Sequence, residues 1–523
     1  MTISKRIHSG TIVFSIFLLA IVNYKSNAQE KTDITDTAKL RAAIEANPNN
    51  PDLHDAYIKA TGFTKWNAPD NPGLVKQYEE WMKEFPTSAV IPYELGHAYA
   101  NKESPKAKPY LLKAIKINPG YAKAYFDLWI DAERWGDFKG GNAYLLKAKE
   151  AEPNNPDYAF YYASSFDNSD KEKYKQLSLD VAKRFPQSER GAQALYWLGA
   201  RFTEPDQRMA FYEQLRTNFA PNKFQWSSSG MSDYFDLLLK LQPEKAVSLA
   251  QSMINIMPEK KDKAEWEKQS AIAKNVVQAK SYLTQNKAAE AVNILDNTKV
   301  SRWSNAKNAL LLLKAKALDA SGKTNLAYDN LIKSFAKSPE NEIKEGLNIY
   351  GRKMGKTEDQ IENDIWHVRD TASKEATPFS LKQYLKPGNM SLSDLKGKVV
   401  LLTYWFPGCG PCRGEFPHFQ NVVNKFKGQN LAYIGINILP DQNDYVLPFM
   451  KSSGYSFIPL EDVEGRQKGN LDNGGAAPVN FLLDQNGKIM FANFRIDEQN
   501  EEVLQTMISS LLNRKQVRTY TNK

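Results

Sequence analysis

Only two cysteines occur in this 523-residue chain, and they stand three apart, as Cys409-Gly410-Pro411-Cys412. A pair so close in sequence, placed at the mouth of a helix, points to thiol-disulfide exchange. Unpaired backbone N–H groups in the first helical turn, together with the helix dipole, favour a thiolate on Cys409 and lower its pKa. Cys409, exposed at the helix mouth, is the candidate nucleophile. Cys412, one turn inside and shielded, is placed to attack a mixed disulfide and release the product. Two other uses stay open. One is an inert staple, whose small loop would add little stability. The other is half of a zinc site, for which no second ligand pair lies near among five scattered histidines.

The segments around the pair have the spacing needed to hold it. Lys398 to Trp405, KVVLLTYW, has the length of a buried parallel strand and runs directly into Phe406-Pro407-Gly408-Cys409. After a helix of about fifteen residues, Leu431 to Ile438 gives a second strand and closes a βαβ unit. Val479–Leu483 and Ile489–Phe494 flank Asp484-Gln485-Asn486-Gly487, a hairpin turn signal, and Glu501–Leu512 reads as an amphipathic closing helix.

With Cys409, Gly410, Pro411 and Cys412, Glu415 and Pro417 on the next helix, Pro378 and Phe379 at the opening, and Ala477 before Pro478, this segment of about 140 residues resembles the thioredoxin superfamily. The resemblance is nearest to its extracytoplasmic thiol-disulfide oxidoreductases of the TlpA/ResA kind. It implies an α/β domain with a central mixed sheet flanked by helices, whose only redox group is the Cys409–Cys412 disulfide. It also implies a cis peptide before Pro478, facing the cysteine pair and presenting the Ala477 backbone to an extended peptide. Gly408, Gly410 and Pro411 join Ala477 and Pro478 as the substrate-facing residues. Gly408 stands where relatives usually carry Trp, which leaves that surface less apolar. The strand position holding a buried acid in cytoplasmic thioredoxins is Thr403 here, so Glu415 is the expected proton relay for Cys412; its alternative is an exposed helix glutamate. His418 reads as a surface or packing residue. A peroxidase of the peroxiredoxin kind shares the fold, but its Thr-x-x-Cys placement is absent, since Phe406 stands three residues before Cys409.

The larger part of the chain is different. Pro86, Pro119, Pro153 and Pro186 are separated by 33, 34 and 33 residues, and the Ala, Leu and aromatic residues between them have helical spacing. Gly136 and Pro153, and again Gly322 and Pro339, keep a 17-residue step. These units resemble tetratricopeptide repeats. Small residues at Ala107, Ala114, Gly141 and Ala148 let paired helices approach. The period fades between 187 and 275, around Pro205, Pro221 and Gly230, where helix pairs of irregular length are expected. Nine of the ten tryptophans fall in this arm, mainly as repeat core. The chain thus reads as an α-helical tetratricopeptide-like solenoid over 29–370, a linker over 371–380, a thioredoxin-fold domain over 381–515 and a tail over 516–523. A scaffold carrying a vestigial redox pair is the rival reading.

Residues 1–28 read as a signal peptide. Lys5 and Arg6 precede an uncharged run, Thr11 to Val22, too short for a stable span, and Ser26 and Ala28 fit cleavage before Gln29. An uncleaved anchor is the alternative. The expected location is periplasmic or secreted, without stable membrane insertion. Formal charge is +9, and removing Lys5, Arg6 and Lys25 leaves +6, too diffuse for nucleic-acid binding. The implied partners are a disulfide-bearing protein substrate, an upstream thiol donor, and a peptide or protein bound by the arm.

Overall fold

The computed structural model describes residues 36–64, 69–301 and 304–514. The signal peptide and the 516–523 tail lie outside the described residues, as do Trp66 and Trp303. Among the described residues, nineteen helices lie between Thr37 and Ala372, and an eight-stranded sheet with further helices follows.

Local chemistry starts and stops the arm helices. Asn50, Asn71 and Asn155 cap helices whose first residues are Pro51, Pro72 and Pro156, and Asp137, Asp170 and Ser188 cap others through their side chains. The residue two beyond the helix Ala122–Arg134 is Gly136, at φ +70°, and its N–H donates to the Glu133 carbonyl. Paired helices approach through small residues: Ala107, Ala114 and Ala148 are fully buried, and a Cβ on Gly141 would lie 3.2 Å from the Ala132 methyl. Where the proline period fades, Pro205 opens the helix Pro205–Asn218, and the helices lengthen to 17 residues at Gln225–Leu241 and 25 at Lys260–Thr284. Gly230 lies inside the first of these long helices, where a Cβ would sit 2.5 Å from Leu215 Cδ2. Trp81 and Trp266 are core, whereas Trp135 faces the second domain.

The sheet strands are β1 (Lys374–Glu375), β2 (Ser380–Gln383), β3 (Asn389–Ser391), β4 (Val399–Trp405), β5 (Leu431–Asn437), β6 (Ile458–Glu461), β7 (Val479–Leu483) and β8 (Lys488–Phe494). Their order is β1-β8-β7-β4-β5-β6-β2-β3, with β4, β5 and β6 parallel and the remaining pairings antiparallel. This is the mixed sheet of the thioredoxin fold. β4 is buried throughout and alternates: Val399, Leu401 and Trp405 pack under the helices Gly410–Lys425 and Glu501–Leu512, while Val400, Leu402 and Tyr404 fill the opposite face. The stretch 371–380 is no free linker. The arm's last helix ends at Ala372, and β1 pairs with β8, Lys374 opposite Ile489. Two exposed charged residues carry no apolar alternation, so such an edge strand leaves no trace in sequence.

The arm packs on the redox domain through its helix-pair turns. Tyr445 Oη donates to Asp131 Oδ1 at 2.9 Å, and its ring meets Trp135 edge-on at 4.8 Å. Arg413 pairs with Glu133 at 3.5 Å, Lys171 with Glu498 at 3.1 Å, and the Arg369 guanidinium lies 5.1 Å from the Phe491 ring centre. Gly136 abuts Phe449 so closely that a Cβ would lie 2.8 Å from the Phe449 carbonyl oxygen, whereas Gly322, at φ +78°, has nothing within 4 Å. Both residues need a left-handed backbone, so Gly322→Ala is expected to cost about 1–2 kcal/mol. Gly136→Ala should cost about 1–3 kcal/mol more, because the docked loop must shift. Denaturant melts of the two variants measure the difference. Equal losses would mean that the turn does not press on Phe449.

Candidate active site

Cys409 is the N-cap of the helix Gly410–Lys425, with Pro411 in the first turn. Its Sγ accepts the Cys412 N–H at 3.2 Å, so the sulfur receives a helix N-terminal donor that favours negative charge. The two cysteines are joined as a disulfide. Cys412 is fully buried, as expected, but Cys409 is also only 2% exposed. Burial of the nucleophile corrects the sequence-based expectation. It lies in an apolar cluster that also holds Phe449, Leu504 and Ile508, and spacing along one segment does not reveal such neighbours.

The Gly408 N–H donates to Gln442 Oε1 at 2.6 Å, and Gln442 Nε2 donates in turn to Glu103 of the arm. A Cβ on Gly408 would lie 2.6 Å from Glu103 Oε2 and 2.7 Å from Gln442 Nε2. The place of a side chain at 408 is therefore filled by two polar groups, one supplied by the arm. Arg413, the next residue after the pair, turns back to the Pro407 carbonyl at 2.9 Å while facing Glu133.

The Ala477–Pro478 peptide is cis, Pro478 is buried, and Ala477 packs against the apolar cluster that contains both cysteines. Asn473 braces this loop through a 2.8 Å bond from Nδ2 to the Ala476 carbonyl. Because Val479 opposes Tyr404 near the end of β4, the Ala477–Pro478 loop lies at the same sheet end as the segment Gly408 to Cys412.

Glu415 is buried, one helical turn after Cys412. Asn480 Nδ2 donates to its Oε2 at 2.9 Å, and Arg495 Nη1 lies 3.5 Å from its Oε1. Burial pushes its carboxyl up to about 7, against the lowering effects of Asn480, Arg495 and the Ile496 N–H. Thr403 sits opposite Asn480 in the β4–β7 register, underneath the redox helix, and supplies no acid. His418 is buried and structural: its Nδ1 is 2.7 Å from Glu501 Oε1, tying the closing helix to the redox helix. Asn480, Arg495, Gln442 and Glu103 had no signal in the sequence, since the partners that define their roles lie between 31 and 339 residues away.

The raised carboxyl has a consequence for stability. Ordinarily near 4.5, Glu415 binds its proton more tightly in the folded protein, so its favourable contribution is full below pH 4.5 and is lost as pH rises through about 7. Glu415→Gln should therefore stabilise the protein above pH 7, by up to about 3 kcal/mol, and change little below pH 4.5. Denaturant melts at pH 4 and pH 8 check this. The same gain at both pH values would count against the raised carboxyl.

A buried disulfide at a helix N-terminus, at the end of the parallel strands of a thioredoxin-fold sheet, defines a dithiol-disulfide redox domain. Residues 372–492 match the sequence profile of the AhpC/TSA family. The chain is 36% identical over 101 residues to thiol-disulfide oxidoreductase ResA of Bacillus subtilis (strain 168), covering 19% of this chain and 55% of that protein. It is 30% identical over 139 residues to ResA of Bacillus thuringiensis (strain Al Hakam), covering 26% of this chain and 77% of the relative. A solved thiol:disulfide interchange protein of the thioredoxin family from Chlorobium tepidum TLS aligns at 21% identity, with a TM-score of 0.22, over 27% of this chain and 96% of its own. Through this domain the chain belongs to the ResA-type thiol-disulfide oxidoreductases.

Proposed function

We propose that the protein is an extracytoplasmic reductase of protein disulfides, and that its helical arm recruits a protein partner to the redox domain. The observation that carries the chemistry is the Cys409 sulfur at the helix N-terminus, bonded to the Cys412 N–H, with a buried acid of raised pKa one turn further on. In the reduced enzyme the Cys409 thiolate attacks a substrate disulfide. One substrate sulfur leaves as a thiolate and takes a proton, and a mixed disulfide to Cys409 remains. Glu415, as carboxylate, accepts the Cys412 proton, and the Cys412 thiolate attacks the Cys409 sulfur. The second substrate thiolate departs and is protonated, so two electrons have passed from the dithiol to the substrate. An upstream thiol donor returns them. Gly408, Gly410, Pro411, Ala477 and Pro478 would flank the substrate backbone during the exchange.

The arm reading rests on size and shape, since the nineteen helices among its described residues exceed what a domain acting on small thiols requires. The extracytoplasmic reading rests on the leader-like residues 1–28 and on the resemblance to oxidoreductases of that compartment. Among the described residues no helix is long and apolar enough to cross a membrane.

Peroxide reduction is a second reading, favoured by the AhpC/TSA match and opposed by Phe406 three residues before Cys409. Purified protein supplied with a thiol donor should reduce a protein disulfide over many turnovers and consume hydrogen peroxide only at the rate of the donor alone. Fast peroxide consumption with no disulfide turnover would reverse the choice.

A further inference from the structure

The helix-pair turns of the arm share one device. Two residues past the helices Pro51–Ala60, Ala122–Arg134, Lys260–Thr284, Lys307–Ala320 and Asn341–Lys353 stand Gly62, Gly136, Asn286, Gly322 and Gly355, all with φ between 59° and 78°. Each donates its N–H to the carbonyl three residues earlier. After the helix Val90–Asn101 the same place is held by Glu103, at φ 54°, with its N–H on the Ala100 carbonyl at 2.9 Å. Glycine and asparagine tolerate this left-handed conformation; glutamate adopts it at an energetic cost.

A matching departure lies across the interface. Gly408 has no positive φ to require glycine, yet a Cβ there would collide with Glu103 and Gln442. A side chain stands where the turn favours none, and none stands beside the nucleophile where that side chain lands. Glu103 is itself held, with Arg134 Nη2 3.3 Å from its Oε1, and Arg134 is anchored on the Ala100 carbonyl. The chain of contacts from Glu103 to Gln442 to the Gly408 N–H ends one residue before Cys409.

We propose that Glu103 is an arm-borne positioning residue of the redox site: its carboxylate fills the place of a side chain at 408 and, through Gln442, fixes the backbone that presents Cys409. This deepens the proposed function and rests on it, because it makes the redox site complete only when the arm is docked. The charged and titratable groups around the pair are Glu103, Asp131, Glu133 and Arg134 from the arm, Arg413 and Glu415 from the redox helix, Tyr445 and Tyr455 from and beyond the next helix, and Arg495 after β8. Loss of the Glu103 charge leaves Arg134 and Arg413 facing Glu133 and Asp131, and the local balance shifts by one unit towards positive.

The test uses the full-length protein with Glu103→Gly and Glu103→Gln. Glycine suits the turn and removes both bond and charge; glutamine keeps an oxygen for Gln442 and Arg134 and removes only the charge. Two quantities are read: turnover of a small synthetic disulfide, split into kcat and KM, and the pH dependence of Cys409 alkylation in the reduced protein. Glu103→Gly is expected to lower kcat at least about fivefold, with KM and melting temperature held, and Glu103→Gln to restore most of it. In both variants the alkylation midpoint should fall, giving about threefold more thiolate at a given pH, as removal of a nearby negative charge requires. Wild-type kcat in Glu103→Gly, a loss that Glu103→Gln does not recover, or an unmoved alkylation midpoint overturns the assignment. Failure of the wild-type protein to reduce any disulfide would instead refute the proposed function, and the alkylation profile would then judge Glu103 by itself.

Discussion

Replacing Cys409 by Ser is expected to lower disulfide turnover at least about 10³-fold, as loss of a nucleophile does, while leaving the fold in place. Cys412→Ser should also abolish turnover, but by a different route. Its Cys409 still attacks, and the mixed disulfide then has no internal thiol to resolve it. The two variants therefore separate in what accumulates. The asymmetry follows from position: Cys409 caps the helix and its sulfur accepts the Cys412 N–H, whereas Cys412 lies inside the first turn. Because both residues are buried, exposure does not distinguish them; the helix terminus does. Alkylation of the reduced protein near neutral pH should accordingly modify Cys409 first. Equal rates at the two thiols would count against this order.

The second large effect concerns the arm. Residues 372–523 produced alone are expected to keep the sheet, since the clusters on both its faces are built almost entirely from the redox domain itself. They should nevertheless melt about 10–20 °C below the whole protein. Removing the arm exposes Tyr445 and one face of Phe449, which lie against Trp135, Gly136 and Phe138. Burial of two such aromatic side chains stabilises by roughly 3–6 kcal/mol, and a domain of this size loses about 2–4 °C per kcal/mol. The isolated domain should still exchange with a small disulfide, more slowly if Glu103 positions the site, and should lose its preference for a protein partner that the arm holds near Cys409. If truncation leaves the rate with that partner unchanged, recruitment by the arm fails.

The parts of this architecture that rest on local pattern were legible from the chain. β4, β5, β7 and β8 and the closing helix fall within a residue of the runs read from alternation and turn chemistry, because each is long and carries its own hydrophobic signal. β1 and the β2–β3 hairpin did not stand out, being two to four residues long with exposed polar positions. At the site, the CGPC spacing marked the dithiol, and its resemblance to known oxidoreductases pointed to Glu415 and the proline loop. Burial of Cys409 was not legible, for the apolar cluster that holds it is drawn from elements spread along the redox domain. The glycine at 408 read as a missing apolar wall; in the fold it is room made for the arm.

Cys409 carries the sulfur that meets the substrate, and full-length Cys412→Ser puts this to the test. The reduced variant is mixed with a folded disulfide-containing protein, quenched with acid, and the covalent adduct is mapped by mass spectrometry of its peptides. The expected result is a stoichiometric mixed disulfide joining Cys409 to one substrate cysteine, released by added thiol and absent from Cys409→Ser. No adduct with Cys412→Ser, or an adduct formed by Cys409→Ser through Cys412, would contradict it.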